Sequence, residues 1–317
     1  MLNLLFIIIG FALLVYGADY LVDGGASLAK KFNVPNMVIG LTIVAFGTSS
    51  PELAVNVTAA IGKNSDITLG NVLGSNIFNI LLILGVATLF NHLRVKTNTT
   101  WVEVPLALLS AFLVFVLAGD AFIDNRAPSV IGRIDGIVLL MFFVVFLAYN
   151  LHLIKSGTTD ETFETKNLSA YKSLIFIVLG LAMLIGGGKL IVYSASEMAR
   201  ALGISERIIA LTIVSIGTSL PELATSIIAV RKNNVDIAIG NVVGSNIFNI
   251  FFILGVSAVI NPVTIGTGSM VDLLVNIFSG LLLFLFIFTG KGRKIETGEG
   301  IVFILLYLSY IVYLIIG

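Results

Sequence analysis

GTSSPE at residues 47–52 returns as GTSLPE at 217–222, each time inside an apolar run. Pro51 has no N–H to give the Gly47 carbonyl and its ring crowds that oxygen; Pro221 stands in the same relation to Gly217. A helix passing through either stretch is therefore interrupted there, and backbone oxygens lose their partners. Within hydrocarbon such irregular backbone is tolerated only when it is buried in protein or lines an aqueous cavity. Glu52 and Glu222 follow the prolines directly, near the middle of their runs, where inserting a carboxylate costs about 2.5–3.5 kcal/mol. One such glutamate is open to a bland reading, as a protonated carboxyl bonded to its neighbours or as half of a structural ion pair. Two equivalent ones on broken helices, with Lys189 as the one fully intramembrane base, point instead to an ion path.

Around these stretches the chain is overwhelmingly apolar. Of 317 residues, 57% are hydrophobic and 11% charged, and the mean hydropathy is +1.07, which leaves too little polar surface for a water-soluble globule. Apolar runs long enough for a hydrocarbon layer about 30 Å thick fall near 3–22, 37–60, 69–90, 101–119, 135–154, 172–195, 206–230, 239–260, 271–289 and 299–316. These predict an all-α integral membrane protein of ten transmembrane helices. The first run lacks a basic flank and is echoed later in the chain, so it reads as a mature helix rather than a signal peptide. There is no cysteine, which removes disulfides and thiolate metal sites.

The chain repeats itself. Shifted by 170 residues, positions 40–85 match 210–255 at 28 of 46 positions, and GNVLGSNIFNI at 70 meets GNVVGSNIFNI at 240. Five spans per copy is an odd number, so the second copy enters the membrane with opposite polarity. The expectation is two inverted five-helix repeats, residues 1–154 and 172–317, joined by a short cytoplasmic linker at 155–171. Loops after odd-numbered spans carry Lys30, Lys31, Arg94, Lys96, Lys155, Lys166, Lys172, Arg231, Lys232, Lys291, Arg293 and Lys294. Loops after even-numbered spans carry only Lys63, Arg126, Arg133, Arg200 and Arg207. That bias places the first set in the cytoplasm and both termini outside the cell.

Helical spacing puts Thr48 one turn from Glu52 and Ser49 beside it, and sets Ser75 on one face with Asn79. With their counterparts in the second copy these supply carboxylate, hydroxyl, amide and carbonyl oxygens, a ligand set suited to Ca²⁺ or Na⁺ rather than Zn²⁺ or Cu²⁺. His92 and His152 lie near span edges and read as interfacial. Gly70, Gly74, Gly240 and Gly244 read as close-packing positions, and Asp66 and Asp236 as helix N-caps. Asp19 and Lys189 are equivalent under the shift, yet the inversion sends them to opposite surfaces, which argues against a salt bridge between them.

These stretches resemble the two alpha repeats of the sodium/calcium exchanger family, within the cation/calcium exchanger superfamily, in a prokaryotic-type form without a large regulatory loop. The resemblance covers nearly the whole chain. It implies a core of eight helices around a cluster of cation sites, crossed by two long helices, spans 1 and 6, that slide together to open the sites to alternate sides. By motif position it implies Ca²⁺ ligands at the carboxylates of Glu52 and Glu222 and the main-chain oxygens of Thr48 and Thr218. Flanking Na⁺ sites fall at Ser49, Ser75, Ser219 and Ser245, with the carbonyls of Ala45 and Ser215, and Asn79 and Asn249 complete the ring.

The implied function is secondary active antiport of Na⁺ against Ca²⁺ by alternating access, in the plasma membrane. Ca²⁺ and Na⁺ are the transported substrates, and no cofactor, nucleic acid or protein partner is implied. Potassium-dependent relatives generally carry aspartate where this chain has Asn249, and proton-coupled ones tend to carry Asn-Ala before the glutamate. A proton- or potassium-coupled Ca²⁺ exchanger and a passive cation channel remain the alternatives. An enzyme is disfavoured: there is no GxGD-type aspartate pair, no HExxH and no histidine accompanying a Gly-x-Ser segment in the spans.

Overall fold

The computed structural model describes residues 2–123, 128–156, 166–203, 215–266, 268–289 and 292–316. Leaving aside the single helical turn Asp120–Ile123, the helices in chain order are α1 (Leu2–Phe32), α2 (Asn36–Thr48), α3 (Ser50–Ile61), α4 (Ser65–Ala87), α5 (Thr99–Leu117), α6 (Arg133–Ser156), α7 (Ala170–Ala201), α8 (Ser215–Thr218), α9 (Leu220–Arg231), α10 (Val235–Ile260), α11 (Ser269–Phe286) and α12 (Thr297–Ile316). Among the described residues eight of these are long and apolar enough to cross a membrane, and the bent pair α2 and α3 makes a ninth. Among the described residues the fold is helical apart from two antiparallel pairs of two-residue strands, Leu93–Arg94 with Lys294–Ile295 and Val130–Ile131 with Val263–Thr264. The first part of the seventh expected span, most of the linker (157–165), and Arg126, Arg207 and Lys291 lie outside the described residues.

The helices form two compact units, residues 1–51 with 150–242 and residues 52–149 with 243–317. In the first unit the two longest helices, α1 and α7, pack along their length. Glycines make this possible. A Cβ on Gly10 would stand 2.9 Å from the Gly187 carbonyl oxygen and one on Gly17 2.9 Å from that of Gly180, and Gly24 meets the Ser173 carbonyl at 2.8 Å. Residue number rises by seven along one helix as it falls by seven along the other, so the two run antiparallel with their backbones in contact.

One end of α1 is fixed by charge. Lys232, just past α9, reaches Asp19 and Asp23 of α1 at 2.6 Å each, and Lys166 reaches the other oxygen of Asp23 at 2.7 Å. The Asp23 carboxylate holds the Lys166 ammonium above its ordinary range. Ser27 accepts a hydrogen bond from the Leu168 N–H at 3.0 Å, so the end of the linker is tied to α1. Asp19 thus pairs with Lys232 rather than with its repeat equivalent Lys189, which is exposed on α7.

In the second unit the core is aromatic and aliphatic. Phe143 packs on Phe248 and Phe252, Phe142 stacks on Phe251, and Phe78 meets Tyr307 edge to face. Two wide turns of π-helix, Phe78–Leu84 in α4 and Phe248–Leu254 in α10, stand 170 residues apart. Such turns recur at functional sites because the extra residue re-aims the side chains around it.

Two details differ from the sequence expectation. The N-caps are Asn64, whose side chain accepts from the Ile67 N–H at 3.0 Å, and Asn234, which accepts from Ile237 at 3.4 Å. Asp66 and Asp236 sit in the first helical turn, where their charge faces the positive end of the helix dipole. Close packing holds at Gly240, where a Cβ would lie 2.8 Å from the Met37 carbonyl of α2, but not at Gly70, which has open space around it.

Candidate functional site

The first motif breaks its helix two residues ahead of the proline. Ser49 takes φ −84° and ψ 8°, ending α2, and α3 starts at Ser50 with a 48° change of direction. Pro51 is the second residue of the new helix, and Pro221 likewise lies in the first turn of α9 after Ser219 at φ −91° and ψ 5°. Both prolines occupy positions where a missing N–H costs nothing. The Gly47 carbonyl is not left bare, since it accepts the Ser50 hydroxyl. Each glutamate therefore stands in the first turn of a short helix, at its positive end.

In the first unit, Ser49 of the first motif donates to Oε1 of Glu222 of the second at 2.8 Å. Glu222 is 1% exposed, and its Oε2 has no hydrogen-bond partner among the described residues. Thr48 Oγ1 lies 3.0 Å from the Val44 carbonyl and 3.1 Å from Oδ1 of Asn241. Thr218 and Ser219 are buried, and Ser215 opens α8. The Ala45 carbonyl accepts the Ser49 N–H at 3.0 Å and lies 3.4 Å from the Thr48 hydroxyl, so that oxygen is already engaged in its own helix.

The second unit holds Glu52, Ser75, Asn79, Ser245 and Asn249, all at most 1% exposed. Asn79 and Asn249 lie inside the two π-helical turns. Asn79 donates to Oδ1 of Asn246 at 2.9 Å and Asn249 to Oδ1 of Asn76 at 3.0 Å. The side-chain oxygens of both, Asn79 Oδ1 and Asn249 Oδ1, are buried without a hydrogen-bond partner among the described residues.

Several residues that hold these groups are not among those expected from sequence. Asn241 donates to the Glu222 carbonyl at 3.2 Å and to the Ser226 hydroxyl at 3.0 Å. Asn71 does the same in the other unit, to the Glu52 carbonyl at 3.4 Å and to Asn56 at 2.6 Å. Each thereby fastens the first turn of the glutamate's helix to the glycine-rich helix that follows. A signal for them was present: Asn71 with Asn241 and Asn76 with Asn246 are identical pairs within the repeated GN-x₂-GSNIFN stretch.

Buried carboxylate, hydroxyl and amide oxygens, two glutamates and no thiol or imidazole make hard-cation chemistry the capability of these groups. Comparison with known proteins agrees. Residues 2–152 and 172–316 match the family described as sodium/calcium exchanger protein. The chain is 40% identical over 265 residues to the inner membrane protein YrbG of Escherichia coli, covering 81% of this chain and 79% of that one. It is 33% identical to the sodium/calcium exchanger MaX1 of Methanosarcina acetivorans over 98% of both. Among solved structures it is similar to the sodium-calcium exchanger NCX_Mj, with a TM-score of 0.84 and 34% identity over 98% of each chain. The chain belongs to the sodium/calcium exchanger family, and is a multi-pass membrane transporter rather than an enzyme.

Proposed function

We propose that the protein is a secondary active antiporter that exchanges Na⁺ for Ca²⁺ across the plasma membrane by alternating access. The ligands we assign are the carboxylates of Glu52 and Glu222, the side chains of Ser49, Ser75, Ser219, Ser245, Asn79 and Asn249, and the carbonyls of Ala45, Thr48, Ser215 and Thr218. One observation carries this reading: the Ser49 hydroxyl of one motif bonds the Glu222 carboxylate of the other, and the second oxygen of that carboxylate has no hydrogen-bond partner among the described residues. A buried carboxylate held in that way is expensive without a cation.

The fold belongs to the same proposal: ten spans in two inverted repeats, residues 1–154 and 172–317 with the linker 155–171 between them, and both termini extracellular. The 170-residue duplication and the antiparallel run of α1 against α7, equivalent helices of the two copies, support the inversion. Sodium as coupling ion is supported by the names of MaX1 and NCX_Mj, and independence from potassium by the neutral side chain of Asn249.

The test is Ca²⁺ uptake into sealed vesicles containing the purified protein, driven in separate arms by outward gradients of Na⁺, H⁺ and K⁺. Uptake is expected with Na⁺ alone. Uptake with H⁺ but not Na⁺, or uptake with Na⁺ that vanishes when K⁺ is withdrawn from both sides, replaces the coupling ion. No Ca²⁺ movement under any gradient ends the proposal.

A further inference from the structure

We propose that Asn76 and Asn246 are positioning residues that aim the side-chain oxygens of Asn79 and Asn249 at the transported cation; this rests on the assignment of those two amides as ligands. The starting point is main chain, which cannot flip. Asn76 donates to the Asn246 carbonyl at 3.2 Å, and Asn246 donates to the Asn76 carbonyl at 3.2 Å. Each backbone oxygen can only accept, so each of these amides must turn its nitrogen toward it. That leaves Oδ1 of Asn76 for the nitrogen of Asn249, at 3.0 Å, and Oδ1 of Asn246 for the nitrogen of Asn79, at 2.9 Å.

The consequence reaches the ligands. A carboxamide that rotates freely offers a cation its NH₂ as readily as its oxygen, and the NH₂ repels. With both nitrogens taken, Asn79 and Asn249 can present only oxygen, and both oxygens are buried without a hydrogen-bond partner among the described residues. Flipping either amide sets oxygen against oxygen in a site at most 3% exposed, where an unmade hydrogen bond is costly. The pairing is crosswise: the first copy's Asn76 orients the second copy's Asn249, and the second copy's Asn246 orients the first copy's Asn79. A carboxylate at position 249 has no N–H for Asn76 Oδ1, so the brace also favours the neutral side chain found there.

Two double-mutant cycles test this, read as the Na⁺ and Ca²⁺ concentrations giving half-maximal exchange in vesicles, with thermal unfolding of each variant measured alongside. Asn76→Ala and Asn249→Ala are each expected to raise the half-maximal concentration of at least one ion by about tenfold. The double variant is expected to stay within about twofold of the worse single one, because Asn76 acts through Asn249. Asn246→Ala and Asn79→Ala should behave alike. The mixed pair Asn76→Ala with Asn79→Ala should multiply, since the main-chain carbonyl at position 76 survives the substitution and still orients Asn246. A residue that merely packs helices lowers the unfolding temperature without this crosswise non-additivity. Independent effects within either matched pair, or no change in ion dependence for Asn76→Ala and Asn246→Ala, overturn the positioning role. If Asn79→Ala and Asn249→Ala themselves leave ion dependence unchanged, it is the ligand assignment that fails. Either cycle decides, and serine replaces alanine wherever alanine prevents accumulation in the membrane.

Discussion

Glu222 carries the strongest chemical statement in the molecule. Replacing it with glutamine keeps an oxygen for the Ser49 hydroxyl, now 2.8 Å from Oε1, and removes one negative charge from a buried position. Glu222→Gln is therefore expected to remain folded in the membrane, with an unfolding temperature close to that of the parent, while Na⁺-driven Ca²⁺ flux falls nearly to background. The same is expected for Glu52→Gln, since under the proposed assignment two carboxylates balance one divalent ion and either loss would leave that ion half compensated. Parent-like exchange by both variants would remove these residues from the site. Asn249→Asp probes the complementary question: it adds a charge where the brace expects an N–H, and is expected to change the cation dependence of transport before it lowers expression. Both glutamates are legible in sequence because a carboxylate is costly within an apolar run and seldom stands there for packing alone. The repeat marks Asn71, Asn241, Asn76 and Asn246 too, but not what they do, because an amide that only packs a helix contact and one that holds a neighbouring group look identical until hydrogen-bond partners are known.

Hydropathy and proline mark the helices and their breaks, yet neither shows where a break falls or what it packs on. The turn comes at Ser49 because Pro51 fits the first turn of a new helix better than the interior of an old one. The two motif glycines have a role that spacing alone does not reveal: both face α7. A Cβ on Gly217 would stand 2.0 Å from Cγ2 of Val192, and one on Gly47 2.4 Å from Cδ2 of Leu181. Valine has one strongly preferred rotamer in a helix and cannot swing aside, whereas leucine can. Gly217→Ala is thus expected to be the more damaging change, by about 1–3 kcal/mol of overpacking, with Val192→Ala restoring most of the loss; unfolding temperature and exchange rate read it out. An undamaged Gly217→Ala variant would show that α7 gives way easily there. The Lys232 contact belongs to the same class of features invisible to spacing. Lys232→Met leaves Asp19 and the 9%-exposed Asp23 side chain without that partner, though Lys166 remains. A loss of about 1–2 kcal/mol is expected, below the figure for a fully buried pair because the lysine side chain is 29% exposed. Thermal unfolding at neutral pH measures it, and no shift would mark the pair as a solvated surface contact.

Coupling, under the proposed antiport, would be a property of the entire chain. Under the proposed assignment Ca²⁺ and Na⁺ compete, because the same glutamate oxygens serve both and two negative charges do not favour full occupancy by both ions. Exchange follows if the ion-free protein is slow to change the side it opens to. In that state two uncompensated carboxylates must pass apolar helix faces in low dielectric, whereas bound cations carry the same charges largely neutralised. Binding then lowers the barrier for loaded states only, the differential stabilisation that any ligand-driven switch requires. In any such reorientation the close backbone contact of α1 with α7, set by Gly10, Gly17, Gly180 and Gly187, would favour these two helices staying together. A channel lined by the same oxygens has no such requirement, and the two differ in efflux from sealed vesicles loaded with Ca²⁺. With membrane potential clamped, efflux into medium free of Na⁺ and Ca²⁺ is expected to be slow, and to accelerate when either ion is supplied outside. In Glu222→Gln the acceleration should disappear along with net transport. Rapid efflux into ion-free medium, unaffected by external Na⁺ or Ca²⁺, would mean that the oxygens line a pore and that no coupled reorientation takes place.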